Sequence, residues 1–575
     1  MENHPFIAEL QKLKESSRHA IAQGDKYDLD EFKKYLHIER EVEKELKNII
    51  LKSSTSEQAQ LILVCGNVGD GKSHILSYLH NELKDTISQF KIHNDATESH
   101  NPNESSNVTL YKVLNGFRDE NLHQSKDKMI LAINLGTLSK FIDTYGEEFT
   151  YLKEYITQYK ILDAEFPQDD IADVSRNFNH INFTDYHLYS LTENGADSEV
   201  IMTVLEKIIT DDEANSIHRA YLDYKISLDE KIFCPILYNY EFLFDENNRL
   251  IISQLIIKAI IKSKEIVSIR TLLNFIYDIL VPINLSSIKY TDYYGEIERM
   301  KADEMLTNLI PNYLFEHPEL SSLFSKIENL DPCINRTAAT DDILLTLMNV
   351  EKAMTVFSDY INQNYLYKID FLINQEYILA INLSKLFLRL NYFSNYSSQE
   401  YLRDEDYDEY MSWLFHYNNN PKFKSIYLLV EKAAKNWNGN PKSNGKIIIN
   451  VGKKQSQYRI FKDFKATPDL KMQNAKAKTE VKHNKFSQEF CLSYIGVPKI
   501  HVDYSLFKLL KMILKGYKPN KKDNNNYVYF VDIINKLINQ NKDNSTLYID
   551  EVNIGQEIDY TFSMDEFGDY NFQMI

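Results

Sequence analysis

Leu61-Ile62-Leu63-Val64-Cys65 runs directly into Gly66-Asn67-Val68-Gly69-Asp70-Gly71-Lys72-Ser73-His74. The octapeptide Gly66–Ser73 satisfies G-x-x-x-x-G-K-[ST] at every constrained position. The five residues before it form the continuous apolar run of a strand buried on both faces. After it, Ile75, Leu76, Leu79 and Leu83 share one stripe of a helical period. Strand, glycine loop and helix in this order are the setting a P-loop needs. The glycines let the backbone turn tightly, so that N–H groups point at a phosphate, and the helix N-terminus adds positive potential. This stretch predicts binding of a nucleoside triphosphate by Gly66, Asn67, Val68, Gly69, Asp70, Gly71, Lys72, Ser73 and His74. Lys72 is expected on the β/γ-phosphates and Ser73 on Mg²⁺.

Outward from the loop, strand and helix alternate. Short apolar runs at Phe90–His93, Met129–Asn134, near Ile181–Tyr189 and at Ile232–Leu237 read as further strands, with helices around Leu110–Phe117 and Glu199–Ile209 between them. Five alternations predict an α/β fold, a parallel sheet covered by helices on both faces. Two helices follow, Leu250–Lys262 and Ser268–Leu280, stopped by Pro282. A helical pair directly after such a sheet matches the lid of an AAA+ ATPase. Arg270, at the start of the second helix, is placed to act as a sensor arginine.

The remainder divides by composition. Residues 1–55 read as charged helices, 56–245 as the P-loop core and 246–285 as the lid. Residues 286–434 read as a helical, aromatic-rich domain, and 435–575 as a small α+β domain. At 575 residues the chain is long enough for about three to four domains. Hydrophobic residues make up 43% and charged residues 26%, a globular balance. Four dispersed cysteines with no C-x-x-C pair argue for a reducing compartment and against a zinc ribbon. No secretory leader opens the sequence, and Leu250–Ile261 is broken by Ser253, Gln254 and Lys258, so a soluble cytoplasmic protein is expected.

Net charge is −18, yet Lys435–Lys485 carries thirteen Lys/Arg against three acids, a local balance of +10. The last stretch, Asp550–Ile575, holds seven acids and no Lys or Arg. In the basic segment, Lys446, Lys453, Lys454, Arg459 and Lys462 interleave with Tyr458, Phe461 and Phe464. Phosphate neutralisation with aromatic contact is the minimum for a nucleic-acid surface. An Asn- and Lys-rich composition throughout the chain explains the same segment without DNA.

Hydrolysis also needs an acid to hold Mg²⁺ through water and a polar group to orient the attacking water. Four apolar residues followed by Asp-Glu are absent. Asp95, 23 residues after Lys72, is the first candidate for catalysis and metal binding, with Glu98 nearby; Asp185 is a later alternative. Asn134 ends a strand and suits a sensor role. A guanine-reading N-K-x-D motif is absent, which favours ATP over GTP. Arg299 and Arg336 are candidate donors of an arginine finger to a neighbouring subunit in a homo-oligomer.

Cys65–His74, His93-Asn94-Asp95-Ala96-Thr97-Glu98-Ser99, Asp185-Tyr186-His187-Leu188-Tyr189 and Arg270-Thr271-Leu272-Leu273-Asn274-Phe275 together resemble the DptF family. These are the ATPases of bacterial DNA phosphorothioation-dependent restriction systems. The resemblance is clear over the first half of the chain, and the tract Asn94–Ser99 carries more of it than the P-loop does. It implies an ATP- and Mg²⁺-dependent component of anti-phage defence. That component acts with the partners DptG and DptH on DNA lacking the sulfur modification, directly or through those partners. The chain has no P-D-(D/E)-x-K or H-N-H signature, so DNA cleavage would fall to a partner. Two other readings stay open: a nucleotide-gated assembly switch with little turnover, and an AAA+ regulator of transposition or repair outside defence.

Overall fold

Residues Gln60–Cys65 form strand β1, buried at every position. In chain order β2 (Lys91–His93), β3 (Lys128–Ile133) and β4 (Phe178–Asn182) join it. The order across the sheet is β2-β3-β1-β4, with every pairing parallel. Because successive side chains leave a strand on opposite faces, β1 feeds two cores. Leu61, Leu63 and Cys65 pack with Met129, Leu131 and Ile133 on one face, while Ile62 and Val64 pack with Ile130 and Ala132 on the other. The second face is covered by α1 (Glu41–Ser54) through Val42, Leu46 and Ile50, and by α2 (Lys72–Glu82) through Ile75, Leu76 and Leu79. The first is covered in part by α3 (Leu135–Tyr145), through Leu138 and Phe141. Each buried leucine or isoleucine contributes about 1.5–3 kcal/mol, so a charge at Leu63 would break the sheet.

The computed structural model describes residues 4–19, 31–67, 69–94, 106–162, 176–228, 232–375, 378–441, 445–450, 455, 457–471, 477–540, 547–551, 559–564 and 569–574. Val68, Asp95 and Glu98 of the candidate site, and Lys453 and Lys454 of the basic segment, lie outside these residues. The chain forms two compact units. One takes residues 1–190, 196–403 and 484–486; the other takes 191–195, 404–483 and 487–575.

Two expectations are corrected in the first unit. Ile232–Leu237 is not a fifth strand: Pro235 opens helix α4 (Pro235–Phe242). A proline is tolerated at the first helical position because its missing N–H has no intrahelical partner there. A short apolar run reads alike in either period, and the helix buries Ile236 within it and Tyr238, Tyr240 and Phe242 beyond it. Likewise Ile181–Tyr189 is not one strand. The Asn182 side-chain oxygen accepts from Thr184 N–H (3.2 Å) and Thr184 Oγ (2.9 Å), a local turn that competes with the ladder. The chain makes a 3₁₀ turn over Phe183–Asp185 before extending again at Tyr186.

The helical pair is present as α5 (Glu246–Ser263) and α6 (Ile269–Leu280). Ser268 caps α6 by accepting from Thr271 N–H at 3.1 Å. Helices continue to residue 403, gathered around a buried ion cluster: Arg389 donates to Asp331 (2.7 Å), Glu316 (2.8 Å) and Asn312 (2.9 Å). Among the described residues no helix is long and apolar enough to cross a membrane.

The second unit combines helices α7 (Glu405–Asn419), α8 (Lys424–Asn436) and α9 (Tyr504–Leu514) with antiparallel strands. Its strands include β5 (Lys446–Ile448), β6 (Tyr458–Asp463), β7 (Phe490–Leu492), β8 (Ile500–Val502), β9 (Leu547–Glu551), β10 (Asp559–Met564) and β11 (Tyr570–Met574). β7 and β8 form a hairpin of their own, and the other five follow the order β11-β10-β9-β6-β5. The acidic tail therefore pairs as strands, and it pairs on the basic segment: Asp550 lies opposite Arg459. Lys446 sits over the Tyr548 ring at 3.4 Å.

Candidate nucleotide-binding site

Parallel pairing brings the carboxyl ends of the strands to one edge. Cys65 is level with Ile133 and with Asn182, and His93 is level with Leu131. Gly66, Asn94, Asn134 and the Phe183–Asp185 turn therefore all leave the sheet on the same side, where open α/β sheets bind ligands. Gly69 and Gly71 have φ of +90° and +89°, a left-handed backbone that favours glycine. With Gly71 as its N-cap, α2 begins at Lys72.

Lys72 folds over the loop and donates to the carbonyls of Gly66 (3.0 Å) and Asn67 (2.7 Å). Asp70 braces the turn from inside, its carboxylate accepting from Asn67 N–H at 2.6 Å. Burial raises the pKa of that carboxyl, with the Asn67 N–H, Lys72 and Arg40 offsetting it. At the end of β1 burial pushes the Cys65 thiol up to about 12, which makes it a core side chain rather than a nucleophile.

Three neighbours of the loop lie outside Gly66–His74. Arg40, the N-cap residue of α1, donates to Asp70 O at 2.8 Å and lies over the Phe183 ring at 5.4 Å. Asn94 accepts a 3.0 Å hydrogen bond from Ser73 Oγ through its side-chain oxygen. This bond brings the residue next to Asp95 to the hydroxyl expected to face Mg²⁺. His37 stacks on Tyr78 with ring centres 3.6 Å apart, shares a 3.1 Å hydrogen bond with His74, and lies 3.2 Å from Glu43. Only Asn94 had a sequence signal, as the first residue of the tract Asn94–Ser99. Arg40 and His37 meet the loop across about thirty residues and carry none.

The other candidates are distributed as follows. Asn134 caps α3, its side-chain oxygen accepting from Thr137 N–H at 2.7 Å. Arg270 is on the first turn of α6, which abuts the loop: a Cβ on Gly69 would lie 3.0 Å from Ser268 Oγ and 3.6 Å from Arg270 Cβ. Asp185 follows β4 and accepts from Asn182 Nδ2 at 3.2 Å. Burial pushes its carboxyl up to about 6, partly offset by Lys485. Arg299 and Arg336 pair locally, with Glu296 (3.2 Å) and Asp341 (2.6 Å). Among the described residues no cluster of His, Cys, Asp and Glu has the geometry to hold a metal by itself, so Mg²⁺ would need phosphate oxygens to complete its shell.

Comparison with protein-family models, with curated proteins and with solved structures found no match.

Proposed function

We propose that this chain is a cytoplasmic P-loop ATPase of AAA+ type that serves phosphorothioation-dependent DNA restriction. The observation that carries the nucleotide reading is the loop itself. Two left-handed glycines, a lysine at the helix start and a serine bonded to Asn94 converge at the carboxyl edge of a parallel sheet. Small residues leave room for phosphate, backbone N–H groups and Lys72 supply the positive cradle, and Ser73 supplies an oxygen for Mg²⁺. Bound Mg²⁺ would neutralise charge on the transferring phosphoryl group.

Strand order supports the AAA+ reading. The strand that runs into Asn134 lies between the P-loop strand and the strand that leads toward Asp95, so a sensor asparagine would stand between loop and acid. With the Asn134 oxygen engaged as a cap, its NH₂ group is the end that would face a nucleotide. Arg270, against Gly69, supports the sensor assignment on the lid. The restriction role, with DptG and DptH as partners, rests on the resemblance of Asn94–Ser99 and the other tracts to the DptF family.

The test is ATP turnover by the purified protein, alone and with duplex DNA that lacks or carries the sulfur modification. Turnover stimulated by unmodified DNA supports the proposal. Tight ATP binding with negligible turnover under all conditions would favour the assembly switch, which the absent apolar-run-plus-acid pattern also favours. Sulfur-modification genes beside the coding sequence separate the defence role from transposition or repair.

A further inference from the structure

The hairpin of β7 and β8 carries a second constellation, unrelated to the P-loop. Phe490, Leu492, Ile500 and Val502 are buried, so strand alternation turns Glu489, Cys491 and His501 to the opposite face. Cys491 and His501 are direct cross-strand partners. Both backbone polar groups of Cys491 go to Tyr417 of α7: its hydroxyl donates to Cys491 O at 2.6 Å and accepts from Cys491 N–H at 3.1 Å. Outward-facing N–H and C=O groups mark the non-hydrogen-bonded position of an antiparallel pair, where side chains stand closest. Cys491 Sγ is 4.0 Å from His501 Nε2, and His501 Nδ1 is 2.7 Å from a Glu489 carboxylate oxygen. Nucleophile, base and orienting acid thus stand in line, the order that activates a thiol.

We propose that Cys491, His501 and Glu489 form a reactive-thiol site for small disulfides. Cys491 sulfur attacks one sulfur of R–S–S–R while its proton passes to His501 Nε2. The S–S bond breaks, and a new one joins Cys491 to RS. The departing RS⁻ takes the proton from His501 and leaves as R–SH. The disulfide is the oxidant: one of its sulfurs is reduced and Cys491 is oxidised. Hydrogen bonds to Cys491 and to Glu489 push the His501 pKa up to about 10, so the proton that leaves Cys491 is held on the imidazole beside the sulfur. Glu489 is a positioning residue, since it acts through His501. The other cysteines lack this setting. Cys65 and Cys234 are buried, and burial pushes the Cys333 thiol up to about 12.

The experiment treats the full chain with dithiodipyridine, follows thiopyridone release, and maps the modified cysteine by mass spectrometry. Cys491 is expected to react first. His501→Ala should slow it at least about tenfold, and added imidazole should restore the rate. Glu489→Gln should slow it less, with Glu489→Asp recovering much of the loss. His501→Gln and the thermal midpoint guard against misfolding of the alanine variant. Another cysteine reacting first, an unchanged rate in both His501 variants, or slowing that imidazole does not rescue would each overturn the proposal.

Discussion

Arg40 Nη2 donates to the main-chain oxygen of Asp70 at 2.8 Å, tying the start of α1 to the middle of the glycine loop. The bond holds a peptide whose neighbours would present their N–H groups to phosphate under the proposed reading. Removing a charged donor from a part-buried carbonyl costs about 1–3 kcal/mol, and a loop that must be re-ordered on binding takes that cost from affinity. Arg40→Ala is therefore expected to weaken binding of a fluorescent ATP analogue about tenfold or more. Unchanged affinity would show that the guanidinium serves only the packing of Phe183.

Lys72 presents a different expectation. Its ammonium now satisfies the Gly66 and Asn67 carbonyls, and bound phosphate would draw it away. Lys72→Ala should abolish ATP turnover while the thermal midpoint stays within a few degrees, and restriction of unmodified DNA in cells should be lost. Full turnover in this variant would remove the P-loop assignment.

The acids are ranked by where their strands deliver them. Ser73 Oγ bonds Asn94, so the chain immediately before Asp95 reaches the hydroxyl that would face Mg²⁺ under the proposed reading. Asp95→Asn should suppress hydrolysis with nucleotide binding retained, because its charge orients Mg²⁺ and water more than it holds the phosphates. Asp185→Asn should be milder. Turnover and binding measured on both variants decide it, and the reverse order would move the catalytic acid to the turn after β4.

How much of this was legible in the sequence follows from the range of each interaction. β1, the loop and α2 are specified by neighbours, so the run Leu61–Cys65 and the glycine spacing sufficed. The helical pair was legible too, because Ser268 and Pro282 punctuate it locally. Ile232–Leu237 misled because a short apolar run shows no period that separates strand from helix, and Pro235 was the signal that it opens a helix. Arg40 on Asp70 and the pairing of Asp550 with Arg459 are decided by tertiary structure, and no local pattern encodes them.

Asp185 makes stability depend on pH in a set direction. Burial moves its pKa from 3.8 to about 6, so the folded chain holds the proton more tightly than the unfolded chain does. Stability therefore falls as pH rises from about 4 to about 6, and the deficit is complete above that window. Asp185→Asn removes it. The variant should exceed the parent by about 1–3 kcal/mol near neutral pH and match it below about pH 4. Urea midpoints at the two pH values test this, and a difference independent of pH would mean the carboxyl is not desolvated.

Arg459 faces Asp550 across the ladder, and Lys446 is committed to the Tyr548 ring, so part of the +10 balance is met within the sheet. If Lys446, Lys453, Lys454, Arg459 and Lys462 contact phosphates, duplex DNA affinity should fall with salt, with a log–log slope of about 0.9 per phosphate neutralised. Changing Lys453 and Lys454 to Ala together should flatten that slope by roughly two and weaken all sequences alike. Asp550→Asn removes a negative charge opposite Arg459 and should strengthen binding at low salt while leaving sequence preference unchanged. Fluorescence anisotropy across a salt series measures all three proteins. Binding that is absent, or blind to both changes, would assign DNA contact to a partner subunit rather than to this chain.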